Sequence, residues 1–395
     1  MSRKATTRNA NGSGTIRQRK DGIWEARFTV GIDPGTGKQI RKSVYGKTQK
    51  EVRQKMTAAQ TEVDKGVYIE PSKLTVGKWL DIWLDEYTNS IKENTRVTYR
   101  TQIDTHIRPN LGAIRLSELQ PIHVQSMMNK LMRDPNKALA PKTLKNIKGV
   151  LHKAMTQAVL LKYIPINPCM GVQLPQVQKK DIRPLDEEQI NAFLAAIKGN
   201  PYEMILKVDL FTGMRQGEIM GLTWDRIDFK AGTILVDRQM IHEKQKGGKY
   251  KFAPTKTDQI RKLRPMPSVM RLLQLHKKAQ AQQRLAAGAS WIVEDGLENL
   301  VFTDMTGRHY AHNTLTHNVK RIGEQIGVPG LRFHDLRHTY AVSSIRAGDD
   351  IKTISSNLGH ATISITLDVY AHYTEDMKQD SSDRMERYAA RFSNL

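Results

Sequence analysis

The sequence predicts a multidomain α+β protein: an N-terminal three-stranded antiparallel sheet plus helix, an all-helical middle domain, and a mainly helical C-terminal domain with a small β-sheet. Three observations carry that prediction. Strand-like segments separated by turn clusters are gathered between residues 15 and 45. Helical periodicity runs from 76 to 163 with short breaks, and beyond 185 helical segments are interrupted by two strand-like clusters, Arg226–Asp237 and Lys249–Leu263. A chain of 395 residues is long enough for two or three separate cores.

The first twenty residues hold six basic side chains, no acidic one and Asn-Gly-Ser-Gly, so residues 1–14 are expected to form a flexible basic arm. Thr15–Arg19, Ile23–Val30 and Gln39–Tyr45 are the expected strands, parted by Lys20-Asp21-Gly22 and Asp33-Pro34-Gly35-Thr36-Gly37. On the second strand Trp24, Ala26, Phe28 and Val30 share one face, and Glu25, Arg27 and Thr29 share the other. One face is then core and the other meets solvent or DNA. Thr48-x-x-Glu51 is a capping box opening a helix whose Val52, Met56 and Val63 cover the sheet. A two- or three-stranded ribbon can enter a major groove, with Arg27, Arg41 and Lys42 as the reading or anchoring side chains; a merely solvated polar face is the plainer alternative.

Lys65-Gly66 to Pro71-Ser72 looks like a hinge. After it, Val76–Tyr87, Asn94–His106, Pro121–Arg133 and Pro141–Tyr163 carry helical spacing. On the last of these Lys142, Lys145 and Lys148, with His152 following, lie along one side, either a solvated flank or a DNA-bound face. Residues 173–184, which include the basic Gln178-Lys179-Lys180 run, form the expected second linker. The domains expected are therefore 1–68, 72–172 and 185–395, and residues 374–395 suggest a terminal helix carrying Met377, Met385 and Tyr388.

Composition limits the partners. There are 62 Lys+Arg against 40 Asp+Glu, a formal charge of +22, most densely placed in the first 176 residues, so a polyanion is expected. No apolar run approaches the roughly 20 residues that span a bilayer, and no secretory signal opens the chain, which leads to the expectation of a cytoplasmic protein. The single Cys169 excludes an intramolecular disulfide and a multi-cysteine zinc site, and its surroundings suggest packing.

Several polar residues of the C-terminal region stand in unusual contexts. In Leu210-Phe211-Thr212-Gly213-Met214-Arg215-Gln216-Gly217-Glu218, Gly213 permits a break and Glu218 lies one turn beyond Arg215, able to orient its guanidinium or to form an ordinary helix ion pair. In His334-Asp335-Leu336-Arg337-His338 the i, i+3 spacing sets His334 and Arg337 on one face. His334 and His338 as zinc ligands would need a glutamate beside the first histidine and a further ligand, and Arg337 stands between them, so no metal is expected. Leu358-Gly359-His360 reads as a helix stop, Tyr370 follows ten residues later, and Lys256 lies between strand-like stretches where a hairpin would expose it. Singly, Tyr370 is as readily a core tyrosine and Lys256 a solvated turn.

The ordered set Arg215, Lys256, His334-x-x-Arg337, Leu358-Gly359-His360 and Tyr370, across some 155 residues, resembles the tyrosine recombinase and integrase family. The helical middle is similar to the family's core-site DNA-binding domain, and the N-terminal module to the arm-binding domain of integrases from phages and conjugative transposons. The resemblance implies a site-specific recombinase in which Arg215, His334, Arg337 and His360 hold the scissile phosphate, Lys256 protonates the leaving oxygen, Tyr370 attacks and Glu218 supports. It also implies a 3′-phosphotyrosine intermediate, no cofactor, core-type and arm-type double-stranded DNA sites, a tetramer in the synaptic complex, and accessory excision or bending proteins in a bacterial nucleoid. Two departures keep rivals open. Ile260 stands where a small polar residue often precedes Arg261, which leaves Lys251 beside Lys256, and the spacing from His360 to Tyr370 is one residue longer than the commonest, which leaves Tyr373.

The residue types suit that chemistry. Fixed cations aimed at the non-bridging oxygens stabilise the charge gathered in an in-line attack, and arginine forks can do this in place of a divalent metal. A free phenol has a pKa near 10 and needs nearby positive charge or a base, for which the arginines and His334 are the candidates. A type IB topoisomerase would share this chemistry, and a non-catalytic DNA-binding regulator would share the charge. The regulator leaves the five-part set unexplained, and the arm module speaks against the topoisomerase.

Overall fold

The computed structural model describes residues 14–32, 35–64, 73–177, 184–243, 248–256, 259–360, 362, 367, 382–383 and 385–392. The chain divides into two units, Met1–Gln178 and Lys179–Leu395. That division falls within the span 173–184. The arm up to residue 13, the hinge 65–72 and residues 178–183 lie outside the described residues.

In the first unit β1 (Thr15–Gln18), β2 (Trp24–Ile32) and β3 (Gln39–Gly46) form an antiparallel sheet in the order β1-β2-β3, with a bulge between Thr29 and Gly31. Helix α1 (Gln49–Asp64) starts as its sequence predicts: the Glu51 amide donates to Thr48 Oγ1 at 3.2 Å, and the Lys47 amide donates to the Glu51 carboxylate at 2.9 Å. Ala26 and Phe28 of the sheet bury against Val52 and Met56, while Trp24, Val30 and Val63 pack around them.

The same unit contains α2 (Val76–Glu86), α3 (Glu93–Gln102), α4 (Arg108–Leu111), α5 (Pro121–Met132) and α6 (Pro141–Leu160). A π turn over Ile103–Ile107 joins α3 to α4, the Arg108 amide reaching back to Ile103. This shift of register accommodates Pro109, which has no amide hydrogen to give. Their core is independent of the sheet's: Trp79, Leu80, Ile103, Ile107, Leu144, Ile147 and Leu151 are fully buried, and the Trp79 indole donates to the Ala154 carbonyl at 3.0 Å. Cys169 is buried there and its thiol is pushed up to about 12 by that burial, so it is inert packing.

The second unit has α7 (Glu187–Ala196), α8 (Glu203–Leu210), α9 (Gln216–Met220), α10 (Pro267–Ala287), α11 (His312–Gln325), α12 (Phe333–Arg346) and α13 (Ile351–Leu358). Its strands are β4 (Ile227–Asp228), β5 (Thr233–Val236), β6 (Arg238–His242), β7 (Tyr250–Pro254) and β8 (Arg261–Leu263), arranged as β4-β5-β8 and β6-β7. The chain changes sheet at Asp237, whose carboxylate accepts from Arg226 and Arg238 on either side. Strands β7 and β8 therefore do not pair, and the hairpin expected around Lys256 is instead a connection between two sheets. Gly217 and Gly221 let α9 lie against β6, since a Cβ at Gly221 would stand 2.6 Å from the Met240 nitrogen. No described helix is long and apolar enough to cross a membrane. Of the expected terminal helix, residues 385–389 are helical with Met385 and Tyr388 exposed, and Met377 lies outside the described residues.

Candidate active site

The site grows from the ends of short helices. Helix α8 stops where the Gly213 amide bonds back to the Asp209 carbonyl at 2.8 Å, and Gly213 takes a φ of +59°. A side chain there would strike the Tyr340 ring at 2.5 Å and Leu358 at 2.8 Å, so only glycine lets this turn close onto α12 and α13. At the other end of the site Gly359 ends α13 in the left-handed conformation with φ 65°. The two turns aim their carbonyls inward.

Those carbonyls hold the arginines. Arg337 is 2% exposed, and its two terminal nitrogens donate to the Gly213 carbonyl at 2.7 Å and the Leu358 carbonyl at 2.6 Å. Arg215, at the N-terminus of α9, donates to the Gly359 carbonyl at 2.7 Å and to Glu218 at 2.8 Å. Glu218 also receives Arg261, at 3.1 and 2.6 Å, while the Arg261 Nε bonds the Asn357 carbonyl at 2.7 Å. Burial alone would raise the Glu218 carboxyl, yet the Arg261 guanidinium, aided by Arg215, holds it at about 2. Burial, and then the neighbouring Arg215, bring Arg337 down to about 9.

Three imidazoles adjoin the arginines. His334 and His338 are one turn apart on α12 with rings 4.8 Å apart, edge to face. His334 keeps an exposed edge, but desolvation of the rest, with His338 and Arg337 nearby, lowers it to about 4. His360 is lowered to about 3 by burial and by Arg337 and Arg215, and His338 moves in the same direction, chiefly through burial. His334 and His360 are therefore neutral at neutral pH. Among the described residues no group of three or more His, Cys, Asp or Glu could hold a metal ion.

The structure thus brings together Arg215, Glu218, His334, Arg337 and His360 of the expected set. Lys256 is exposed on the connection from β7 to β8, in a turn closed by buried Thr255, whose hydroxyl donates to the Gln259 carbonyl at 3.0 Å. Its rival Lys251 is ion-paired with Glu243 on the β6-β7 edge. Tyr370 and Tyr373 lie outside the described residues.

Sequence reasoning missed two buried groups. Arg261 served only as a marker of register, although alternation puts it on the inward face with Leu263. Asp209, on α8, is fully buried with neither carboxylate oxygen hydrogen-bonded to a protein group, and burial pushes its carboxyl well above the usual range; nothing in an apolar helix singled it out.

The expected DNA-binding residues fall on the first unit. Arg27 and Arg41 share the sheet face turned away from α1, opposite Ser43 and Thr29 respectively, whereas Lys42 pairs with Phe28 and so lies on the α1 side. Glu25, expected on the solvent-facing surface, is 2% exposed because Arg17, Arg27 and Ser43 enclose its carboxylate. On α6 Lys142 and Lys145 are exposed, while Lys148 is half-buried and donates to the Val172 carbonyl at 2.6 Å. Lys145, Lys148 and His152 line a groove with residues 174–177.

Residues 183–377 match the phage integrase family, and residues 75–132 match the phage integrase N-terminal SAM-like domain. The chain is 30% identical to a protein named tyrosine recombinase XerC-like from Caldanaerobacter subterraneus subsp. tengcongensis, over 92% of this chain and 95% of that one. In fold it is similar to a fragment of the Tn1549 transposon integrase in complex with a circular intermediate DNA, with TM-score 0.68 and 23% identity, covering 79% of this chain and all of that one. It is similar also to the lambda integrase tetramer bound to a Holliday junction, with TM-score 0.53 and 18% identity, covering 90% of this chain and 97% of that one.

Proposed function

The chain belongs to the phage integrase family of tyrosine recombinases, enzymes that cleave and rejoin DNA at specific sites, and from that premise we propose how its residues divide the work. The observation that carries the proposal is the pair Arg215 and Arg337, each fixed by main-chain carbonyls of the turns at Gly213 and Gly359 beside neutral imidazoles. Guanidiniums fixed in this way are preorganised for a phosphate and need no rearrangement when charge develops.

Arg215, His334, Arg337 and His360 hold the scissile phosphate. Tyr370 Oη attacks phosphorus, the bond to the 5′ oxygen breaks, and Lys256 Nζ gives that oxygen its proton. The entering phosphate raises the depressed imidazole pKa values by its negative charge, which readies His334 to take the phenol proton. The 3′-phosphotyrosine ester conserves the bond, so religation requires no ATP, and the arginines supply the charge for which other phosphoryl-transfer enzymes use a metal. Glu218 keeps Arg215 and Arg261 in place.

The domains follow. Residues 185–395 are catalytic, 72–172 bind core-type sites with Lys142, Lys145 and Lys148 at the DNA, and 1–68 bind arm-type sites through Arg27 and Arg41, with Lys42 at the flank. The enzyme works as a tetramer on two sites in the cytoplasm of a bacterial host, at its nucleoid and with accessory excision or bending proteins, integrating and excising a mobile element. The test is a nicked suicide substrate carrying the core site: it traps a covalent protein–DNA adduct with the native chain and none with Tyr370→Phe. An adduct persisting in that variant moves the nucleophile elsewhere, with Tyr373→Phe the next variant to examine.

A further inference from the structure

The outward face of the N-terminal sheet is built around a buried acid. Glu25 on β2 stands directly across from Arg17 on β1, and Arg27 follows two residues on, across from Ser43 on β3. One Glu25 oxygen accepts from Arg17 Nε at 2.8 Å, with Arg17 Nη2 ion-paired to it at 2.7 Å, and the other accepts from Arg27 Nε at 2.9 Å and the Ser43 hydroxyl at 3.0 Å. The carboxylate is enclosed, whereas the two arginine side chains remain 60% and 52% exposed. Arg41 shares this face, and Arg19, just beyond β1, lies over the Tyr45 ring at 5.7 Å.

A surface meant only to neutralise phosphates gains nothing from a buried glutamate, which cancels one of the charges it carries. What the glutamate does supply is direction. By engaging the Nε side of each guanidinium it fixes the plane of the fork and leaves donors on the far side of both arginines. Base recognition needs donors at fixed positions, since a guanine edge is read by two parallel hydrogen bonds, while phosphate contacts tolerate a mobile lysine. We propose that Glu25 is a positioning residue that presents Arg17 and Arg27 as a preset pair to guanine edges in the major groove of double-stranded DNA, making this sheet face the sequence-reading surface of the N-terminal module. The proposal rests on the reading of residues 1–68 as an arm-site binding domain.

The experiment is selection of a randomised duplex library by the full chain at fixed salt, compared among the native protein, Arg17→Ala/Arg27→Ala, Glu25→Gln and Arg27→Lys. The native chain should enrich two motifs, of which the double variant loses the guanine-containing one, the other serving as internal reference. Glu25→Gln raises the net positive charge by one, so a purely electrostatic role makes every duplex bind more tightly. The positioning role predicts the opposite for the arm motif, a loss of about fivefold or more relative to the reference. Arg27→Lys keeps the charge and a partner for Glu25, so the module folds, and it loses the same motif. If Glu25→Gln and Arg27→Lys both enrich the arm motif as the native chain does, the positioning role is overturned and the arm-site reading stands. If native chain and double variant enrich the same motifs, the arm-site reading itself fails.

Discussion

Among the described residues a buried glutamate between two arginines occurs once in each unit, and the two copies differ in what they leave exposed. Glu218 joins Arg215 and Arg261, whose side chains are only 18% and 7% exposed and each of which is tied to a main-chain carbonyl as well. Glu25 joins Arg17 and Arg27, which reach outward from a sheet surface. The same three charges thus make a closed cradle in one place and an open fork in the other. A closed cradle suits a phosphate, which every DNA sequence presents alike, and an open fork suits base edges, which differ. On the roles proposed above, the arginines' remaining anchors, more than the acid, set what kind of ligand such a group takes.

The largest effect expected concerns the two arginines held by main-chain carbonyls. Arg337→Ala or Arg215→Ala removes a preorganised donor and should slow single-turnover cleavage of the nicked substrate by about a thousandfold. A loss below tenfold would mean that the carbonyl-held arginines do not meet the phosphate. Next is Glu218→Gln, which strands Arg215 and Arg261 in a buried setting; the second unit should lose about 3–5 kcal/mol, read by hydrogen exchange of α9 and β8 amides. Glu25→Gln should cost the sheet visibly less, since its arginines are solvated, and equal losses would break the comparison.

Acid should separate the units in a third way. In the second unit His334 and His360, lowered to about 4 and 3, take up protons more readily unfolded than folded, so stability falls as pH drops below the ordinary histidine value near 6.5. Glu218, held near 2, extends the loss as pH falls from about 4.5 towards 2, because the folded form favours its charged state. Among the described residues of the sheet strands only Glu25 is shifted, lowered to about 2 by its hydrogen bond from Arg17 against the opposing effect of burial, so the sheet's stability should hold until about pH 4.5. Amide exchange followed from pH 7 to 4 in both regions would test this, and simultaneous loss would refute the difference. The smallest effect belongs to Asp209→Asn. The buried carboxyl is driven towards its neutral form, so replacing it with a neutral amide should change stability by about 1 kcal/mol or less and leave cleavage intact, as read by denaturant unfolding and the adduct assay.

Much of this organisation was legible in the sequence. Alternation on β2, the Thr48–Glu51 cap and the apolar stripe of α1 specified the sheet and its covering helix within a residue or two, because these signals are local. The pairing of β5 with β8 and β6 with β7 was not legible, since the strands are short and their partners are set by contacts across the fold. For the site, residue types and order marked Arg215, Glu218, His334, Arg337 and His360. Periodicity could not reveal that Arg337 rests on carbonyls, or that Glu25 is enclosed, because both depend on which side chains meet from different elements. Arg261 was hidden by its position beside exposed Lys262 in a basic stretch that reads as surface.

One consequence concerns the turn at Gly359. The carbonyl of Leu358 grips Arg337 and that of Gly359 grips Arg215, and the chain then continues through His360 towards position 370. Both guanidiniums are therefore tethered to one short ribbon of main chain, the two consecutive carbonyls that end α13. A shift of that ribbon moves both forks together, so the two guanidiniums keep their spacing while their common position changes. Such a linkage transmits position instead of charge, and it would keep working where salt or acid silences the electrostatics.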